Sequence, residues 1–482
     1  MRFLVPPCAL LLAFVFAADA RPQPGGPEVK DGKLVLKLTV SPAATPEPSL
    51  RYTFLPTIRQ RHPGNQIPAF YKCFMEQNHL FFHKDAIEQR EKWLTAPLAD
   101  LKGEKDLVGY GGLAVRQAGR AARLAIVDWQ ILDDLRTDGI SLLLPDLHQL
   151  RELSRVLRAR ARGEIARGEF PAAIETIQTQ LALGRTMNDH PTMIGTLVGI
   201  SITAMALASV EELIAQPGAP NLFWAFADLP SPLFDLRTAA HGERLFMSVE
   251  LDPVIDRVNP MSEAQIGRAV MKITELIDMV TLQFALAPAT GKVELPPARP
   301  VPKTPATYLG ERAADPKQVA QARAKLMPTP PVRDERVKNF PALQVVLIDE
   351  LNKYEAARDD NLRWMTQPAS QLPDDLDKVT RQGVFGPFVP GVVRVINTRW
   401  RVQQQLGMLQ VVEGVRAFAA ANGNRLPGTL DEVRLPLPAD PFTGKPYRYE
   451  VANGVATIRG ATPPTGKADP LLNRVYEVAI RP

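Results

Sequence analysis

With 482 residues, 45% of them hydrophobic and 23% charged, the chain has the composition of a globular protein of two or three domains. A formal charge of +5 is small for that length and does not imply a nucleic-acid partner, so none is expected. Of two cysteines, Cys8 lies in the N-terminal apolar segment, which leaves Cys73 alone, so core burial and not a disulfide must hold the fold.

Arg2, an apolar run through Phe16 and the small-residue sequence Ala18-Asp19-Ala20 form a secretory signal peptide over residues 1–20, with cleavage expected after Ala20. Export to the periplasm or cell envelope follows. The alternative is an uncleaved N-terminal anchor, the one case in which a membrane contact is expected. Residues 21–66 make a β-containing arm: LVLKLTV at 34–40 is strand-like, and the proline-spaced SPAATPEPSLRYTFLP is irregular with a second short strand.

A helical body covers 67–285. In its first helix Ile67, Phe70, Phe74 and Phe81 share a face, while Glu76, His79 and His83 lie on the opposite side with Cys73 just beyond. Histidines four apart are a known metal-ligand spacing, and a metal-dependent hydrolase using Glu76, His79 and His83 is the rival reading of function. A solvated polar face is preferred, because a third strong ligand would have to come from elsewhere. No metal, cofactor or catalytic residue is assigned. Gly109, Gly111 and Ala114 in VGYGGLAV fit a degenerate dinucleotide fingerprint, but no strand precedes them and a flexible helix entry is the better account.

Residues 146–217 read as three consecutive helices. Leu147, Leu150, Leu153, Leu157, Ala161 and Ile165 recur at helical spacing, and Asp146 with Gln149 offers a capping-box start. Arg151, Arg155, Arg158 and Arg162 form a stripe beside that apolar face, read as solvated rather than as a phosphate or acidic-partner site. Gly168 and Pro171 mark the turn into a second helix. The third contains 18 consecutive uncharged residues, Met193 to Val210, the lower limit for a membrane span. Its glycines and hydroxyls, acidic flanks and missing aromatic belt favour a buried central helix, with Gly195, Gly199 and Thr203 as a close-contact stripe.

Prolines then cluster, and residues 286–335 read as an extended linker. A second helical segment follows at 336–398, with Leu343, Leu347, Leu351, Tyr354, Leu362 and Met365 on one stripe. A long helix from about Val392 runs into the α+β domain at 399–482 and ends at Asn422-Gly423, and Asn453-Gly454 is a type I′ hairpin signal.

Three resemblances add to this. Gly168-Glu169-Phe170 with Ala173 and Ile174 resembles the turn and second helix of a tetratricopeptide repeat, although Arg160, Glu164, Gln180 and Arg185 depart from that pattern and no second copy appears. The segments PEPSLRYTFLP, PGNQIPAFY, GEFPAAIETIQTQLALGRTM and QPGAPNLFWAFADLPSPLFDL resemble an uncharacterised family of large exported bacterial proteins, which implies architecture and no activity. The long helix, the N-G-x-x-P turn, the D-P-F-T-G-K-P-Y-x-Y entry and the hairpin resemble the globular end of the type II secretion major pseudopilin. That implies the fold and neither pilus assembly nor calcium binding, because the methylation motif is missing and ATPPTGKADPLLNR replaces the acidic loop.

The expectation is therefore a mainly α protein of helical hairpins, with a short N-terminal β arm and a small α+β C-terminal domain. Its expected role is non-catalytic binding or scaffolding in the cell envelope with a protein or peptide partner.

Overall fold

The computed structural model describes residues 28–75, 77–286, 304–326, 337–373, 376, 383–389, 391–463 and 470–481. The signal segment 1–20, Glu76 and most of the proline clusters lie outside them. The fold is mainly α, as the periodicity predicts.

The N-terminal strands β1 (Glu28–Lys30) and β2 (Lys33–Val40) lead through short turns to β3 (His62–Asn65). The body then runs α1 (Gln66–Met75), α2 (Asn78–Phe82), α3 (Lys84–Thr95), α4 (Gly112–Ala121), β4 (Leu124–Ile126) and α5 (Leu132–Asp138). Next come α6 (Pro145–Ala166), α7 (Phe170–Thr186), α8 (Met193–Ile214), α9 (Phe223–Ala227), α10 (Arg237–Leu251) and α11 (Glu263–Leu286). Beyond the first proline cluster stand α12 (Pro305–Ala314), α13 (Pro316–Leu326), α14 (Ala342–Leu362) and α15 (Val392–Ala421), and then β5 (Arg448–Ala452), β6 (Val455–Arg459) and β7 (Arg474–Ile480). The stretch from 305 to 326 is thus helical rather than extended. Pro305 and Pro316 stand at helix starts, where a missing N–H costs nothing.

Helix α8 is apolar on every side, which is the signature of a helix with no solvent face. Among the described residues it alone is long and apolar enough to cross a membrane, and it is mostly buried inside the protein. It packs against α6, α7, α10 and α15. The small-residue stripe sets its closest approach: a Cβ on Gly199 would lie 2.7 Å from the Gly184 carbonyl of α7, and one on Gly184 would lie 2.6 Å from the Thr203 hydroxyl. Gly195 has the His190 ring where its side chain would be.

The α6–α7 hairpin turns at Gly168, whose φ of +76° suits glycine. The residues that depart from the tetratricopeptide pattern brace this hairpin internally. Gln180 donates to the Ser154 carbonyl and hydroxyl at 3.0 and 2.8 Å, and Glu164 accepts the Thr176 hydroxyl at 2.8 Å. Asp146 is not the N-cap of α6. It lies within the first turn behind Pro145 and accepts the Tyr71 hydroxyl at 2.8 Å.

The arm joins the C-terminal strands in one five-stranded sheet, ordered β1-β2-β7-β6-β5. Strands β2 and β7 are parallel, with Val35 opposite Val475 and Val40 opposite Ile480. The other pairs are antiparallel, and β5 and β6 meet at Asn453-Gly454, both at positive φ as a type I′ turn requires. Helix α15 packs on β6 and β7 and also on α8, so it is the wall shared by sheet and helical body. At its C-terminal half, buried Arg416 donates to the carbonyls of Ser41 (2.9 Å) and Ala219 (2.7 Å) and pairs with Glu413 at 2.7 Å.

A second apolar core is built by α11, α12 and α14 with the end of α10, through Met247, Leu251, Ile273, Leu309, Val346 and Phe385. There Arg312 of α12 pairs with Asp349 at 3.0 Å and with Glu350 of α14.

Candidate functional site

The helix expected to carry Glu76, His79 and His83 is not continuous. It breaks after Met75 and again at His83, whose φ of −80° and ψ of 137° are extended, giving the short α2 between α1 and α3. The apolar face survives the break. Ile67, Phe70, Phe74 and Phe81 are buried, and the Phe74 and Phe81 rings meet edge to face at 4.6 Å. His79 and His83 are turned outward, and Glu76 lies outside the described residues.

The break brings in a carboxylate that a straight helix would not. His79 Nε2 stands 3.3 Å from Asp85 Oδ2, and the His79 and His83 rings lie 4.3 Å apart, tilted by 31°. One ligand atom from each of His79, His83 and Asp85 falls within 4.8 Å of the other two. All three are exposed, so the His79–Asp85 contact adds little stability by itself. Cys73 is not part of this group: it is buried, and burial pushes its thiol up to about 12, which keeps it protonated and unreactive.

The arginine stripe on α6 is not solvated. Helix α3 covers it, with Trp93, Leu94, Leu101 and Leu107 closing on Ala159. Arg162, 1% exposed, pairs with Glu212 at 2.9 Å and donates to the carbonyls of Trp93 and of Ala96, the latter at 2.7 Å. Arg155 pairs with Glu91 of α3, and Arg151 is buried. Arg90 of α3, fully buried, reaches back to Glu152 at 2.5 Å and to the Leu80 carbonyl at 2.9 Å. The stripe is an internal seam between α3 and α6. A lone helix gives no sign of a cover that comes from sixty residues upstream.

Gly109 and Gly111 sit at φ values of +69° and +78°, and Gly111 is the residue just before α4. A 3-10 turn at Lys105–Leu107, not a strand, precedes them, and the Ala114 N–H donates to Gln77 Oε1 at 3.1 Å. This is the helix entry the glycines suggest, with the Gly112 and Ala114 N–H groups engaged by the Gly109 carbonyl and by Gln77.

Two strongly perturbed groups, which the sequence does not signal, flank the start of α8. His190 is fully buried: its Nδ1 faces the Thr192 hydroxyl at 2.9 Å, and its ring stands edge to face on Trp129 at 4.6 Å. Burial drops its pKa to about 3, so the imidazole is neutral. Glu243 of α10 accepts the Met193 N–H at 2.9 Å. Burial lifts its carboxyl to about 7, against the lowering effect of that hydrogen bond. Thr192 completes the cap by accepting the Gly195 N–H at 3.1 Å. With His190 sealed from solvent, the arrangement closes a helix end.

Comparison with protein-family models, curated proteins and solved structures finds no match to this chain.

Proposed function

We propose that the protein is a non-catalytic binding or scaffold protein of the cell envelope. One observation carries the reading: among the described residues, the buried charged side chains Arg162, Arg416 and Glu211 cross-brace distant elements. Arg162 ties α6 to the end of α3, Arg416 ties α15 to the exit of β2, and Glu211 ties α8 to β7. Such bracing fixes the sheet and the hairpin stack relative to one another, which is what a rigid platform for a protein or peptide partner needs. Export rests on the Ala18-Asp19-Ala20 signal, and the pseudopilin-like reading of the C-terminal strands agrees with an envelope setting.

Fractionation of native cells combined with quantitative cross-linking tests the proposal. The expected result is recovery from the envelope fraction in a complex of fixed stoichiometry. Recovery from the cytoplasm, or turnover of ester, phosphoester or peptide substrates by the purified protein, would overturn it.

A further inference from the structure

Going beyond the scaffold reading and independent of it, we propose that His79, His83 and Asp85 form a surface site for one divalent transition-metal ion of the zinc type. Two imidazoles and one carboxylate are the donor set that such ions prefer, whereas calcium and magnesium favour oxygen alone. A tetrahedral ion with bonds of about 2.1 Å holds its ligands about 3.4 Å apart. The His79–Asp85 pair already stands at 3.3 Å, and the widest separation among the three donor atoms is 4.8 Å. Closing that gap needs side-chain torsions only, and all three side chains are exposed and free to turn.

The backbone beneath them is fixed. His83 N–H donates to the His79 carbonyl at 3.2 Å, the Ile87 N–H donates to the His83 carbonyl at 3.0 Å, and Phe81 anchors the corner in the core. The backbone that carries the donors is therefore in place before an ion arrives, so binding has only side-chain torsions to order. Three protein ligands leave a fourth position for water or for a donor from a partner molecule. The site is one of coordination, and the proposal assigns it no reaction.

The test is isothermal titration of chelator-stripped full-length protein with zinc chloride, repeated with calcium chloride. Wild type should take up one equivalent of zinc, and calcium should neither bind there nor compete. Because removing even an outer-shell partner typically costs about 10–100-fold in metal affinity, a His79→Ala, His83→Ala double variant, which loses two direct ligands, should lose at least about 100-fold and Asp85→Asn at least about 10-fold. His241→Ala, which removes an exposed histidine on α10, should bind as wild type does. Absence of saturable zinc binding in wild type, an unchanged affinity in the double variant, or equal competition by calcium would each overturn the site. Thermal unfolding of each variant is run alongside; should the double variant fail to fold, Asp85→Asn and His83→Gln decide the question.

Discussion

The Tyr476 hydroxyl on β7 donates to Glu211 Oε1 on α8 at 2.5 Å, across 265 positions of sequence. The same carboxylate oxygen takes Arg474 at 2.6 Å and the Gln405 amide of α15 at 2.9 Å. One buried carboxylate thus joins the sheet and the long helix to the central helix. Glu211→Ala would leave Arg474 and Tyr476 without their anion, and removing one partner of a buried pair typically costs about 3–5 kcal/mol. Tyr476→Phe removes one hydrogen bond to a charged acceptor and should cost about 1.5–3 kcal/mol. Denaturant unfolding measures both, and a Glu211→Ala loss no larger than that of Tyr476→Phe would show that the junction is held by packing alone.

At the α7–α8 crossing, Gly199→Leu should destabilise the protein by at least about 1–3 kcal/mol, because a side chain there meets the Gly184 carbonyl and the Met187 side chain. Gly267 in α11 is the control, with nothing within 4 Å of an added Cβ. Gly267→Ala should be neutral or stabilising by up to about 1 kcal/mol. Similar shifts in the two melting temperatures would remove the close-contact account of α8.

Along the α3–α6 seam, Arg162→Ala strips the Trp93 and Ala96 carbonyls of their donor and leaves Glu212 unpaired. A loss of about 3 kcal/mol or more is expected. Arg155→Ala, against the more exposed Glu91, should cost about 1 kcal/mol. Urea midpoints for the two variants check the order, and the seam assignment fails if Arg155→Ala is the more damaging.

The helix cap at Met193 carries opposing pH dependences. His190 falls from its ordinary 6.5 to about 3 in the folded protein, so its contribution is full at neutral pH and is lost as pH drops from 6.5 through about 3. Glu243 rises from 4.5 to about 7, so it favours the folded state below pH 4.5 and loses that advantage as pH climbs through about 7. Glu243→Gln should therefore gain on wild type by about 1–2 kcal/mol between pH 4.5 and pH 8, a figure discounted for the side chain's partial contact with water. Stability curves of both proteins across that range provide the check. A constant difference would place the carboxyl outside the cap.

For export, N-terminal sequencing of protein recovered from the envelope should read from Arg21. An intact Met1 would replace secretion with anchoring.

Elements set by neighbouring residues were legible in the sequence. The Gly168 turn, the Asn453-Gly454 hairpin, strand β2 and the buried character of α8 all follow from signals a few residues wide. What depends on remote partners was not. The arginines of α6 show a polar stripe in either environment, and only the docking of α3 decides that they are inside. Asp85 escaped notice for a different reason. No glycine or proline stands between Phe70 and Pro97, so nothing marked the break at His83 that swings its carboxylate toward the histidines.

The parallel pairing of β2 with β7 also constrains how the protein is made. Arg481 reaches Ser41 across 440 positions, so β2 leaves the ribosome about 20–90 seconds before its neighbour at ordinary elongation rates. During that interval β2 is paired only as far as Val35, with β1, and the unpaired apolar run Leu36–Val40 is an aggregation hazard. Holdase chaperones that keep an exported chain unfolded should therefore bind this N-terminal segment before translocation, and peptide-array mapping of such a chaperone should place a strong site over Lys33–Val40.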